Sequence, residues 1–299
     1  MITLTDRLEG AVWGHLVGDA LGVPYEFGPP RPAESIRWGH AGTYGQPPGT
    51  WSDDGGLMLA LLDSLLSSGF DLEDQARRAL AWRDGPDYKP GGRFDIGGTT
   101  HSALSRFKAG AAAEAAGGDR ESDNGNGSLM RILPLALVRR STSDAELVSE
   151  AMRASSVTHA HPRSQLTCAL YSLALRRLLN GDEPAQSISV ASTALAQLVE
   201  PIQKHELGLV LHYSTRSGSG YVVDTFWSAW DAFSGAGDYA AAVTRAVAYG
   251  NDTDTTACVT GGLAGAYWGI EALPAEWRAS MRGADIVDPL VARLTAGMV

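Results

Sequence analysis

Apolar residues along this chain recur at helical intervals, and the strict alternation of a half-buried strand is scarce. Leu57 to Leu66 is an apolar run long enough for a buried helix. Ser143 and Glu146 have capping-box spacing ahead of Leu147, Ala151 and Met152, which predicts a helix start. Thr167 to Leu179 carries Leu170, Leu173, Leu175, Leu178 and Leu179, with Arg176 and Arg177 assigned to the solvent side. Asp238 is placed to cap a segment running through Ala242 and Ala246 to Tyr249, which Gly250 can end. Between such segments lie Gly-, Pro- and Asp-rich stretches at 28–50, 84–99, 116–128 and 214–220. The pattern predicts an all-α fold with function on its loops.

Two glycine series add a packing expectation. Gly10, Gly14, Gly18 and Gly22 recur every fourth residue, as do Ala257, Gly261, Gly265 and Gly269. Spacing of four aligns small residues along one helix ridge, where a second helix can approach closely. The N-terminal and C-terminal helices are therefore expected deep in the core, packed on each other. A membrane dimer motif has similar spacing, but His15 and Asp19 interrupt the first stretch, and neither stretch is long enough to span.

Composition changes the picture only modestly. The 299 residues are 44% hydrophobic and 19% charged, and no Ser, Pro or charge run separates two periodic blocks, so residues 1–299 read as a single domain. The 35 glycines exceed the roughly 21 that average usage would give, so their positions need explaining. A net charge of −10 argues against a nucleic-acid backbone as partner. Cys168 and Cys258 sit in apolar, helix-like stretches and read as buried reduced thiols. The first residues lack the basic and apolar regions of a signal peptide, and no stretch is apolar enough to cross a membrane. The expectation is a cytoplasmic protein, with nothing demanding more than a monomer.

Two carboxylate clusters stand out, far apart in sequence. Ser52-Asp53-Asp54 directly precedes the apolar run at 57–66, and Asp252-Thr253-Asp254-Thr255 directly precedes the second glycine ridge. Each alone reads equally well as a helix cap, because free N–H groups and the dipole at a helix start favour anions. Converging, four aspartates would repel one another unless a cation lay among them. Hard oxygen donors suit Mg²⁺, Mn²⁺ or Ca²⁺ rather than zinc.

With these motifs in view, the chain resembles the ADP-ribosylglycohydrolase family. Gly49-Thr50-Trp51-Ser52-Asp53-Asp54 looks like the family's first metal motif, and Gly250-Asn251-Asp252-Thr253-Asp254-Thr255-Thr256 like its second. Gly18-Asp19-Ala20-Leu21-Gly22 with Glu26, Asp95-Ile96-Gly97, Asn124 to Arg131, Thr158-His159 and Gly220 to Thr225 match in the expected order. Gly55 departs from the pattern, standing where the family more often has threonine.

The resemblance implies a compact orthogonal bundle of helices with a loop-built cleft for two divalent cations, Mg²⁺ or Mn²⁺. Carried over by position, their ligands are Ser52, Asp53, Asp54, Asp252, Asp254 and Thr255. It implies hydrolysis of the bond joining ADP-ribose to a modified acceptor, with protein arginine first. Serine-, nucleic-acid- or metabolite-linked ADP-ribose stays open, as does a non-catalytic ADP-ribose-binding relative. Asp95 and Glu26 are the two candidates for the catalytic carboxylate, with Asp95 preferred. Without the resemblance, Asp95 reads as a turn or cap residue and Glu26 as a solvated charge. Asp19, mid-helix, reads as a structural hydrogen-bonding group.

Asn124, Gly125, Asn126, Gly127 and Ser128 precede Leu129-Met130-Arg131, which are expected to begin a helix. Glycines there let backbone N–H groups approach a phosphate. By itself such a loop is often only a turn, and the resemblance makes it a diphosphate or ribose contact with Met130 beside it. Gly218 and Gly220 lie in a second loop, which could bring Tyr221 against adenine; the competing reading is a core aromatic at a helix start. His159 is expected to line the ribose cleft, and His161 to begin the following helix at Pro162.

Overall fold

The computed structural model describes residues 2–296. It is all-α, and among the described residues only two isolated bridges, Gly118–His159 and Gly125–Tyr221, have β character. The helices are α1 (Leu4–Gly22), α2 (Asp53–Ser68), α3 (Leu72–Asp84), α4 (Gly98–Lys108), α5 (Leu133–Val138), α6 (Asp144–Ser156) and α7 (Pro162–Leu179). After them come α8 (Pro184–Leu198), α9 (Lys204–Leu211), α10 (Val222–Ser234), α11 (Tyr239–Ala248), α12 (Thr253–Trp268), α13 (Ala275–Ala279) and α14 (Ala284–Thr295). Among the described residues, no helix is long and apolar enough to cross a membrane.

The central feature is the seam between α1 and α12. A β-carbon added at Gly10 would lie 2.4 Å from the Gly265 carbonyl oxygen, and one at Gly14 2.4 Å from that of Gly261. One at Gly18 would lie 2.2 Å from the Ala257 oxygen, and one at Gly22 2.4 Å from the Asp254 Cα. Backbone meets backbone along four turns, which only glycine allows. Both helices are buried on nearly every side from Gly10 and Thr253 onward, so they form the centre that α2, α7, α10 and α11 surround. Tyr239 of α11 crosses the seam and donates from its hydroxyl to the Gly14 carbonyl at 2.6 Å.

Local chemistry explains several helix starts. Asp238 caps α11 through the Ala241 N–H at 2.8 Å, and His161 is the N-cap of α7, with Pro162 at its first position. Ser143 caps α6 by accepting from the Glu146 N–H, but the Glu146 carboxylate turns away to Arg139, so the capping box is half formed.

Two expectations are corrected. Arg176 is buried, not solvated, because its guanidinium crosses to the Thr142 carbonyl at 2.8 Å and to Asp144 at the start of α6. No helix begins at Leu129. Residues 127–131 form a turn, closed where the Met130 N–H donates to the Asn126 carbonyl at 3.0 Å, and α5 starts only at Leu133.

Candidate active site

The C-terminal end of α1 brings the two acidic helix starts together. Asp19, fully buried, accepts the Ser52 N–H at 3.0 Å and the Gly55 N–H at 2.8 Å. It thus satisfies two of the donors that the first turn of α2 leaves unpaired. Ser52 itself is the N-cap, its hydroxyl accepting from the Asp54 N–H at 3.2 Å. One turn further along α1, Gly22 lets the start of α12 lie against the backbone, and the Thr253 hydroxyl donates to the Gly22 carbonyl at 2.8 Å. Asp53 and Asp54 are thereby placed beside Asp252 and Asp254.

Gly55 finds its reason here. A β-carbon at that position would come within 2.7 Å of Leu16 and of the Trp51 ring. The indole of Trp51, whose Nε1 donates to the Tyr88 carbonyl at 3.0 Å, occupies the space a side chain would need.

The acids face a cleft of about 270 Å³. Glu26, Asp53, Asp54, Asp95, Asp252, Asp254 and Thr255 line it, together with Gly125, Asn126, Gly127, Met130, His159 and Gly220. Ser52, Asn124, Ser128, Gly218 and Tyr221 lie within two residues of that lining in sequence. The Asn124 carboxamide accepts from Ser164, and its carbonyl accepts the Val222 N–H. Ser128 is buried against Ser155 and Cys168. The Gly218 carbonyl accepts the Asp252 N–H at 2.9 Å. Tyr221 is the N-cap residue of α10, with its hydroxyl on Arg163 and its ring against Tyr213.

Burial and mutual repulsion dominate the electrostatics. The carboxyls of Asp53, Asp54 and Asp254 are pushed well above the usual range, first by burial and then by one another and by their acidic neighbours. Glu26 is pushed up to about 9, by burial and then by Asp95. Carboxyl oxygens of Glu26, Asp252 and Asp254 lie within 4.8 Å of one another. No Lys or Arg side chain is among the cleft-lining residues. An all-oxygen donor set lacking a protein cation fits a hard divalent metal ion. Glu26 thus sits with two expected ligands, whereas sequence alone presented it as a candidate base.

Two clamps hold the donors. The Asn126 amide donates to Asp252 at 2.8 Å and to the Thr225 hydroxyl at 3.0 Å, and the Cys258 thiol lies 3.1 Å from Asp54 Oδ2. Asp95, on the same lining, occupies a left-handed backbone conformation, φ 51°, and its Oδ1 accepts its own following N–H, from Ile96, at 2.9 Å. His159 Nδ1 pairs with the Thr158 hydroxyl, and burial depresses the ring's pKa to about 3, leaving a neutral imidazole on the cleft wall.

Sequence reasoning missed the first turn of α4. Gly97, Gly98, Thr99 and Thr100 border the cleft, and Gly98 and Thr99 also border an adjoining hollow of about 580 Å³ that includes Arg106 and Arg120. The Asp95-Ile96-Gly97 string is the available signal, but nothing in it shows that the turn following Asp95 faces the cleft. Phe27, also on the lining, had no sequence signal beyond its position after Glu26.

The chain belongs to the ADP-ribosylglycohydrolase family, whose model matches residues 1–299. It is 33% identical to the ADP-ribosylarginine hydrolase Tri1 of Pseudomonas putida, over 91% of this chain and 73% of that one. It is 28% identical to the ADP-ribosyl-[dinitrogen reductase] glycohydrolase of Rhodospirillum rubrum, over 91% and 89% of the two chains. A solved structure described as an ADP-ribosylglycohydrolase-related protein complex superposes with a TM-score of 0.81 at 32% identity, covering 98% of each chain.

Proposed function

We propose that this chain hydrolyses the glycosidic bond between ADP-ribose and a protein arginine, using two divalent cations, Mg²⁺ or Mn²⁺. The observation that carries this reading is the convergence of Asp53, Asp54, Asp252 and Asp254 from two helix starts with Glu26 and Asp95 around one cleft. The relatives named for arginine-linked and dinitrogen-reductase-linked ADP-ribose support the choice of acceptor.

Ser52, Asp53, Asp54, Asp252, Asp254 and Thr255 would hold the ions, with Glu26 alongside. Bound there, the cations would supply Lewis acidity and orient ribose hydroxyls and water. The chain's own groups do the rest. Asp95 takes the proton of the attacking water. One of its oxygens is fixed by the Ile96 N–H, so the carboxylate keeps one orientation. Asn126 holds Asp252 in place, and Gly127 leaves room for His159 and Thr100, each of which would lie 2.8 Å from a β-carbon there. The open first turn of α4 receives the diphosphate, and the adjoining hollow extends the cleft for the nucleoside. Gly218 holds Asp252 through its carbonyl, and Tyr221 follows Gly220 of the lining.

The test is release of free ADP-ribose from an arginine-ADP-ribosylated protein, with and without Mg²⁺ or Mn²⁺, alongside Asp53→Ala and Asp95→Ala. The expected result is metal-dependent release, reduced at least about 100-fold by each substitution. Binding of ADP-ribose without release from arginine-, serine- or nucleic-acid-linked substrates would overturn it in favour of a binding protein.

A further inference from the structure

One aromatic residue lines the acidic cleft, and two others pack on each other in neighbouring loops. Phe27 is 70% exposed and Tyr44 57% exposed, and Phe94 packs on Tyr44 with centroids 6.2 Å apart. Phe27 follows Glu26 and lines the cleft, while Phe94 immediately precedes Asp95.

Phe27 is doubly unusual. Its backbone is left-handed, φ 61°, a conformation costly for a bulky side chain. The surroundings impose it. The Phe27 N–H donates to the Asn251 carbonyl at 2.7 Å, the Asn251 N–H donates to the Gly28 carbonyl at 2.8 Å, and Asn251 is itself left-handed at φ 59°. Glycine would suit that backbone and a polar side chain would suit that exposure. A strained, solvent-facing phenylalanine at a cleft mouth serves neither folding nor solubility.

Charge narrows what the ring faces. Six carboxylates line the cleft, and two divalent ions would offset four of their negative charges, leaving a field that attracts a cation. Arg31, next to Gly28, does not fill that role, because its guanidinium is turned onto the Tyr25 ring at 5.0 Å.

We propose that Phe27 forms the acceptor subsite and takes the planar guanidinium of the modified arginine against its ring face. A guanidinium keeps its flat, delocalised charge when it carries ADP-ribose, so stacking and cation–π attraction both act on it. A serine acceptor offers neither a plane nor a charge. The subsite rests on the arginine reading of the function and adds the residue that selects that acceptor.

The experiment measures KM and kcat of the full chain with Mg²⁺ or Mn²⁺, on arginine-linked and serine-linked substrates, for wild type, Phe27→Gly and Phe27→Tyr. Glycine accepts the left-handed backbone, so Phe27→Gly removes the ring while keeping the fold. The expected result is an about tenfold higher KM for the arginine-linked substrate with kcat within about twofold. Affinity for free ADP-ribose is unchanged, and Phe27→Tyr restores the wild-type KM. Wild-type turnover of the arginine substrate with an unaltered KM in Phe27→Gly overturns the subsite alone. Equal weakening of free ADP-ribose binding also overturns it, since the ring would then serve ADP-ribose itself. Failure of wild type to act on the arginine substrate overturns the arginine reading and the subsite together.

Discussion

The start of α2 and the start of α12 carry the same kind of chemistry and are secured in opposite ways. At α2 a side chain is the fastener, with Asp19 reaching across to take the N–H groups of Ser52 and Gly55. At α12 the fastener is the lack of a side chain at Gly22, which brings the backbone of Thr253 and Asp254 into direct contact. Asn126 and the Gly218 carbonyl then hold Asp252 from the other side. Both fastenings lie within one turn of α1, so that turn sets the distance between the two acidic pairs. A polar clasp can be removed without forcing the helices apart, whereas a steric fit cannot be filled without moving them.

Three substitutions probe this difference. Gly265→Ala comes first, since its β-carbon would sit 1.9 Å from the Gly10 carbonyl oxygen with backbone on both sides. We expect a loss of about 3 kcal/mol or more in urea unfolding, because neither helix can retreat. An unchanged midpoint would mean that the seam is looser than described.

Asp19→Ala follows. Two buried N–H groups lose their acceptor, at a cost of about 2–4 kcal/mol, and Mn²⁺ affinity falls about 10- to 100-fold as the start of α2 loosens. Calorimetric titration separates the two effects. Lost stability with unchanged metal affinity would show that Ser52 alone secures the start.

The smallest effect is expected at Asp224. Its carboxylate accepts from the N–H groups of Ser217 and Ser219 and from both hydroxyls, shaping the loop whose Gly218 carbonyl holds Asp252. These donors outweigh burial and keep Asp224 below the usual carboxylate range. A carboxylate depressed in the folded state contributes stability above its unfolded pKa of about 3.9 and loses it as pH falls through the lower folded value. Asp224→Asn should therefore cost about 1–3 kcal/mol at pH 7 and flatten the acid limb of stability below about pH 4. An acid limb identical to wild type would remove Asp224 from the account.

Much of this arrangement could be read from the chain alone. Spacing of four among glycines has few physical meanings, so the α1–α12 seam was legible. Acidic pairs directly ahead of apolar runs gave both helix starts, and a carboxylate amid apolar residues at Asp19 foretold a buried acceptor. Other features depend on partners remote in sequence. Arg176 looked solvated because nothing near it reveals that Asp144 and the Thr142 carbonyl wait across the α6–α7 contact. The turn at 127–131 resembled a helix start, since composition does not show that the Asn126 N–H is taken by the Gly220 carbonyl. Phe27 was silent for a similar reason: its left-handed backbone is imposed by Asn251, more than two hundred residues away in the chain.

The glycine seam also divides the chain into parts that change freely and parts that do not. A single residue inserted within α1 would rotate everything beyond it by about 100° and take Asp19 and Gly22 off their partners together. The stretch at 28–50 is fastened elsewhere, with the Arg31 N–H on the Ala248 carbonyl at 3.0 Å, Ile36 in the core and Trp38 stacked on Trp277, so its exposed positions can change while the ion-binding geometry stays fixed. The protein is in this sense a chassis with an exchangeable mouthpiece, and descendants could acquire new acceptors by rewriting the exposed positions around the cleft, Phe27 among them.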